Sequence, residues 1–427
     1  MNSDTSRRSE GMPTGAQPEY RKDVPPTWDH FTQHFADAPG GYSDAWREVG
    51  VWAVERLREH LGRDWPARTF VRHGRLPGGM SYAITHRVAY FELVQLALWL
   101  EMLCGCEGFA DIRRTLRADA RDNVFPHVRL QLEVGALAAA AGHGVRFEPP
   151  VPNSQRNSDI SIELADKQRL LVEARVLLPD RHTVTQNELT DRALTALQRT
   201  ASRLDIDCAG DLTRPLQDSE LAELLEHVSA HARLARAGGY APPLQIHGAN
   251  LQITRRETTT ERTLRGPALR GDLWPRIADR LIKKATQTRG AENVWLRFTA
   301  LQGLWLFTYW GQLELSDKLA TMRTNIMHAL SGHPHVDGVV LSSALAWPQG
   351  TIDPDEHADQ NGGYALRVTV PPMMARETLV VPLCLEAGPV AHARAWRDLY
   401  AAEPDWPDKV LGRVGLPLVA NIFESTA

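Results

Sequence analysis

Cysteine is scarce in this chain: its 427 residues hold only Cys104, Cys106, Cys208 and Cys384. The one close pair, in CGC, has no second pair to complete a zinc site of ordinary spacing, and the low usage fits a reduced, cytoplasmic setting. Long apolar runs are missing as well. The most apolar window, AYFELVQLALWLEMLCGC from Ala89, is broken by Glu92 and Glu101. It falls short of the roughly 20 apolar residues that a membrane span needs and reads as a buried helix. The opening MNSDTSRRSEGMPTGAQPEYRKD has no apolar segment of the signal-peptide kind. Neither charge dominates: a net charge of -4 excludes the basic balance of a histone-like binder, although a local basic face is compatible with it.

Familiar catalytic signatures are also absent. The sequence has no GxxxxGK[ST] loop, no GxGxxG opening a helix after a strand, no HEXXH and no GxSxG elbow, so nucleotide binding of those types, zincin chemistry and α/β-hydrolase chemistry have no support. His328, His333 and His335 in HALSGHPHVDG read as histidines of a surface helix-to-strand connection. The acidic DPDEHAD near 353–359 lacks the ligand spacing of a calcium loop.

What the chain does have is material for a core: 43% of residues are hydrophobic and 23% charged, enough for more than one globular domain. Residues 1–43 mix Pro, Gly, Ser and charge without periodicity and are expected to form a flexible leader. A helical region is expected over 44–120. There DAWREVGVWAVERLREHLG places Trp46, Val49, Val51, Trp52, Val54 and Leu57 on one stripe, and further helices run from about Arg87 to Leu103 and through DIRRTLRADA. An α/β core is expected over 121–345. It opens with a helix from about Val124 to Ala141 and continues with strands at 144–150, 159–164 and 169–178. A helical insertion follows at about 180–240, then a strand in LQIHGANLQITRRE, a helix at 273–288, the strand NVWLRFTAL and a helix near 316–330. The run VDGVVLSSALAW suits a buried parallel strand. Residues 346–427 are expected to be a C-terminal extension. The twelve tryptophans are spread over several elements, which points to packing rather than to one aromatic platform.

Chemistry concentrates in SDISIELADKQRLLVEARVLL, residues 158–178. In a strand, residues two apart share a face, so Glu173 and Arg175 project together, as do Asp159, Ser161 and Glu163. Asp159 joins the Glu173 face only if paired residue numbers sum to an even value, which requires a three- or five-residue loop centred on Asp166 or Lys167. Two clustered carboxylates repel each other, and a divalent cation is the common remedy. Magnesium takes oxygen ligands, retains waters and can activate one beside a phosphate. The alternative is a half-solvated hairpin whose charges face water. In the preceding helix, Glu133 sits inside the apolar stripe and is either a carboxylate at its edge or one pointed into a site.

This arrangement resembles the PD-(D/E)xK, or restriction-endonuclease-like, nuclease superfamily. The resemblance covers about residues 124–178 and extends less closely through 273–300. It implies an αβββαβ core in which Glu133 matches the helix carboxylate, Asp159 the hairpin aspartate and Glu173 the first member of the tripeptide. These three would hold Mg2+. Arg175 stands where the family has lysine, and Ser158 where it has proline. Arginine stays protonated, so it can stabilise charge but cannot act as a base. The resemblance therefore implies either an atypical catalytic site, hydrolysing phosphodiester bonds of nucleic acid with DNA as the first expectation, or a degenerate scaffold acting as an interaction or regulatory protein. The functions that follow from it are restriction, repair or defence.

A basic stretch supports the first alternative. Residues 253–290 hold ten Lys or Arg against four acids, a local +6. Lys283, Lys284, Gln287, Arg255 and Arg256 are the residues expected to meet phosphates. A salt-bridged, solvated helix face accounts for the same charges, since no aromatic residues interleave with TTTERTLRG to stack bases. The helical regions leave room for a protein partner or for self-association.

Overall fold

The N-terminal helices pack onto one another and onto the sheet that follows through a shared apolar stripe. The computed structural model describes residues 25–37, 44–73, 76–77, 80, 87–118, 124–152, 155–177, 181–238, 241–256, 264–267, 273–300, 314–343, 355–370, 374–401 and 406–417. Five helices open the described chain: α1 (Trp28–Asp37), α2 (Asp44–Leu61), α3 (Trp65–His73), α4 (Arg87–Leu103) and α5 (Phe109–Ala118). The first lies inside the stretch expected to be a flexible leader. WDHFTQHF spaces Trp28, Phe31 and Phe35 three and four apart, and all three are buried. The Trp28 ring stacks on Trp65 at 5.9 Å, and its indole N–H donates to Gly62 O at 2.9 Å. A short apolar stripe thus anchors α1 despite the polar composition around it. No helix among the described residues is long and apolar enough to cross a membrane. In α4, Glu92 is paired with Arg129 at 2.9 Å.

Helix α6 (Phe125–Ala140) leads into β1 (Gly144–Phe147), β2 (Ile160–Glu163) and β3 (Arg169–Leu177), an antiparallel meander. The chain then leaves the sheet through α7 (Arg181–Arg203), β4 (Ile206–Leu212), α8 (Asp218–Gly238), β5 (Leu244–Ile246), β6 (Ala249–Arg255) and β7 (Leu264–Arg265). It returns with α9 (Leu273–Gln287), β8 (Val294–Ala300), α10 (Leu315–Leu330) and β9 (Val336–Ser342). Among the described residues the last elements are β10 (Asp355–Ala358), β11 (Tyr364–Val370), β12 (Met374–Pro382), α11 (Ala387–Ala401) and α12 (Trp406–Arg413).

The main sheet has eight strands in the order β1-β2-β3-β8-β9-β12-β11-β10. Strands β3, β8 and β9 run parallel and the rest pair antiparallel, so the protein is a mixed α/β structure. The parallel strands are buried on both faces, which is why VDGVV reads as a continuous apolar run. One face packs Val172, Ala174, Val176, Trp295 and Val340 with α6, α11 and the N-terminal helices. The other packs Leu171, Leu177, Leu296 and Leu341 with Ile277, Leu281 and Ala285 of α9 and Leu319 and Met322 of α10. Six tryptophans, Trp28, Trp46, Trp65, Trp99, Trp295 and Trp396, are fully buried, consistent with a packing role. A side chain at Gly338 would strike the Trp295 ring, its Cβ falling 2.4 Å from the indole, so this strand contact depends on glycine.

Two boundaries differ from expectation. The segment expected to be a helical insertion carries its own four-stranded sheet, β5-β6-β4-β7, and its own apolar cluster, and it extends to β7. The expected single strand in LQIHGANLQITRRE is the hairpin β5–β6. Residues 355–382 are not an appendage: β12, β11 and β10 complete the main sheet beyond β9. DEHA of β10 pairs at the sheet edge and carries no apolar alternation that would announce it as a strand.

Candidate functional site

The register of the β2–β3 hairpin decides whether two carboxylates meet. Ile160 opposes Val172 and Ser161 opposes Leu171, so the next pair outward is Asp159 opposite Glu173. The connection spans residues 164–168. Within it Lys167 N–H donates to Leu164 O at 2.9 Å, Lys167 takes a left-handed backbone (φ 66°), and Gln168 N–H donates to Asp166 Oδ1 at 3.0 Å. This is a tight turn closed by a left-handed residue, a common way to build an odd-length hairpin loop. The pair numbers sum to an even value, and Asp159 lies on the Glu173 side of the sheet.

A lysine from a distant helix joins them. Lys284 Nζ, on α9, donates to Asp159 Oδ2 at 2.9 Å and to Glu173 Oε2 at 2.6 Å. Asp159 Oδ2 also accepts the Ala174 backbone N–H at 2.8 Å, and Oδ1 accepts Gln131 Nε2 at 2.9 Å, with His127 Nε2 3.5 Å away. His127 and Gln131 are four apart on α6 and therefore share a face. Ser158 is buried and donates its hydroxyl to Val172 O at 3.1 Å.

Electrostatics divide the carboxylates. Burial pushes the Asp159 carboxyl up, but the His127 hydrogen bond and the Lys284 charge outweigh it and hold the group well below the usual carboxylate range. Glu173, with 3% of its surface exposed, is pushed up to about 7 by burial and by the Asp159 charge beside it, against the pull of Lys284. Burial lowers the Lys284 ammonium, yet the two carboxylates outweigh that and raise it, so it stays protonated. The cluster thus pairs a firmly ionised carboxylate and an ammonium with a second carboxylate that exchanges its proton near neutrality.

Arg175 shares the Glu173 face as expected, but the cation touching both carboxylates is Lys284. Burial, the nearby Arg280 charge and, in the opposite sense, Asp159 leave the Arg175 guanidinium with a lowered proton affinity. Glu133, expected to be the helix carboxylate of the site, is placed elsewhere. It lies two residues from Gln131, about 200° around the helix. Its Oε1 accepts Arg297 Nη2 at 2.9 Å, and the Tyr400 hydroxyl lies 3.4 Å away, all with no solvent exposure. Arg297 pairs beside Ala174, so this network occupies the sheet face opposite Glu173.

Of the five residues expected to meet phosphates, Lys284 alone contacts the carboxylate pair among the described residues. Lys283 is exposed and bonded to Asp279 at 2.9 Å, and Gln287 is exposed. Arg255 and Arg256 belong to β6 and its end in the second sheet, with Arg256 4.0 Å from Asp205. His328 lies in the last turn of α10, while His335 and His333 lie beside the end of α9, with His335 Nε2 2.8 Å from Ala285 O. Among the described residues no group of three or more His, Cys, Asp and Glu side chains could hold a metal ion.

Sequence reasoning passed over His127 and Gln131. Their signal was present in HVRLQ, where the i, i+4 spacing marks the two polar residues of one helical face. Comparison with known protein families, characterised proteins and solved structures returns no match.

Proposed function

We propose that this chain is a metal-dependent phosphodiesterase acting on nucleic acid, on a core of the PD-(D/E)xK type. The observation that carries the reading is the convergence of Asp159, Glu173 and Lys284, three residues from a hairpin and a helix that no packing requirement would bring together as charges. With the inserted α7, β4, α8, β5, β6 and β7 set aside, the order α6, β1, β2, β3, α9, β8 follows the αβββαβ order the resemblance implies. Lysine is thus present at the carboxylates, delivered by α9, although Arg175 holds its place in the tripeptide.

The donor set fits magnesium, which takes one or two protein carboxylates and fills its remaining positions with water and substrate oxygens. Asp159 and Glu173 would hold it, and the proton affinity of Glu173 marks a carboxylate whose charge still lacks sufficient compensation. Such an ion polarises a phosphate and lowers the pKa of a bound water. The chain's own residues do the remainder. Gln131 and His127 orient the Asp159 carboxylate, Lys284 presents a fixed positive charge to oxygens on which negative charge develops, and Ser158 fastens the hairpin at Val172.

The test is cleavage of end-labelled single- and double-stranded DNA and RNA with and without Mg2+. The expected result is Mg2+-dependent cleavage of at least one substrate, lost in Glu173→Gln and in Lys284→Met. Absence of cleavage of every substrate by wild type, or full activity in Glu173→Gln, overturns the proposal. The competing reading, a non-catalytic scaffold, draws on the same bridge, because an ammonium seated on both carboxylates is a self-contained ion pair. That reading expects no Mg2+ binding at Asp159.

A further inference from the structure

A second pair of cations lies one step beyond the carboxylates. Arg175 follows Glu173 by two residues, the same-face repeat of a strand, or about 6.6 Å along β3. Arg280 precedes Lys284 by four residues, one helical turn, or about 6 Å along α9. Because β8 is parallel to β3 and α9 is the helix that returns the chain to the start of β8, α9 runs against β3. Moving forward from Glu173 and backward from Lys284 therefore goes in the same direction, and Lys284 is bonded to Glu173. Arg175 and Arg280 end at the same level, on the same side of the sheet.

Neither guanidinium donates a hydrogen bond or joins an ion pair among the described residues. The acids that could neutralise them are taken: Asp279 is bonded to Lys283, and Asp159 to Lys284, Gln131 and the Ala174 N–H. Arg175 is partly buried and Arg280 exposed, so an approaching ligand can reach both. Their two like charges lie near enough to repel each other. Two unpaired guanidiniums at one level on the same side of the sheet suit an anion that accepts from both, and planar forked donors match a phosphate better than an ammonium does.

The geometry points to Arg175 and Arg280 as a paired subsite for the nucleic-acid phosphate next to the one that reacts at Asp159, Glu173 and Lys284. This rests on the proposed phosphodiesterase function. Arginine in the tripeptide then has a function of its own. With the lysine supplied by α9, the position two residues beyond Glu173 is free to grip the backbone of the substrate, and a phosphate held there sets the register of the strand over the carboxylates.

The test is fluorescence anisotropy with a labelled oligonucleotide, single- and double-stranded, in EDTA over a series of salt concentrations. Wild type, Arg175→Ala, Arg280→Ala, Arg175→Lys and the control Arg192→Ala are compared, with thermal unfolding confirming that each is folded. Arg192 is exposed on α7 and paired with Asp218. The expected result is a loss of about tenfold in affinity for each alanine variant and a salt slope lower, for each phosphate contact removed, by about 0.9 on duplex and about 0.7 on single strands. Arg175→Lys should keep the charge-dependent slope and lose part of the affinity, and Arg192→Ala should match wild type. If wild type binds and cleaves nucleic acid while both alanine variants keep its affinity and slope, the subsite is overturned and the proposed function stands. If wild type binds neither form, both are overturned.

Discussion

Replacing Glu173 by glutamine should stabilise the metal-free protein at alkaline pH and not at acid pH. A carboxyl whose ordinary value is 4.5 and which is pushed up to about 7 in the fold keeps its proton longer when folded than when unfolded. The stability this contributes is fully present below about pH 4.5 and is lost as pH rises through about 7, because ionising Glu173 beside Asp159 in a buried setting is unfavourable. Integrating between pH 5 and pH 8, wild type loses about 2 to 3 kcal/mol at this position. Glutamine has the same shape, does not titrate, and still offers an oxygen to Lys284. The quantity to measure is the difference in unfolding free energy between Glu173→Gln and wild type, by urea titration in EDTA at pH 5 and pH 8. Subtracting wild type at each pH cancels the titration of groups distant from the pair. The variant should gain about 2 to 3 kcal/mol relative to wild type on going from pH 5 to pH 8. An unchanged difference, or one that moves the other way, refutes the argument that Asp159 and burial together raise Glu173.

Other parts of the structure are open to the same treatment. Lys284→Met leaves Asp159 and Glu173 facing each other without their cation and should cost about 3 kcal/mol in urea unfolding at pH 8, with part restored in Lys284→Arg. Glu133→Gln weakens the buried bond to Arg297 and should cost about 1 to 3 kcal/mol while leaving Mg2+ affinity within about twofold of wild type, separating it from the site. Trp28→Ala removes the ring stacked on Trp65 and should cost about 3 to 5 kcal/mol, read as a lower unfolding midpoint and as faster proteolysis near α1. Mg2+ affinity should increase as pH rises through about 7, because the ion competes with the Glu173 proton. An affinity that does not change between pH 6 and pH 8 contradicts that linkage.

The sequence made the hairpin legible because side-chain alternation has a period of two, and the requirement for an odd-length loop reduced the geometry to one condition. Residues 164–168 meet it. Alternation carries no information about a partner 111 residues away, so Lys284 was visible as a basic residue of α9 but not as the cation of Glu173. Glu133 sits inside the apolar stripe and matches the helix carboxylate of the resemblance. Its angle around the helix relative to Gln131 was the physical variable that mattered, and Arg297, invisible as a partner from 164 residues away, holds it on the other face. Composition misjudged α1, where three aromatic residues outweigh the surrounding polar sequence. The expected helical insertion at about 180–240 passed over β4 for a different reason. Gly210 and Asp211 interrupt the apolar pattern, and the close approach of Asn250 O, 2.0 Å from where a Gly210 Cβ would fall, makes glycine necessary inside that strand.

Calorimetric titration of Mg2+ into the wild-type protein and into Asp159→Ala at pH 8 tests the central claim most directly. A metal-dependent site at Asp159 and Glu173 predicts saturable Mg2+ binding in wild type that is abolished by the substitution. Wild type with no saturable binding, or Asp159→Ala with binding equal to wild type, contradicts it.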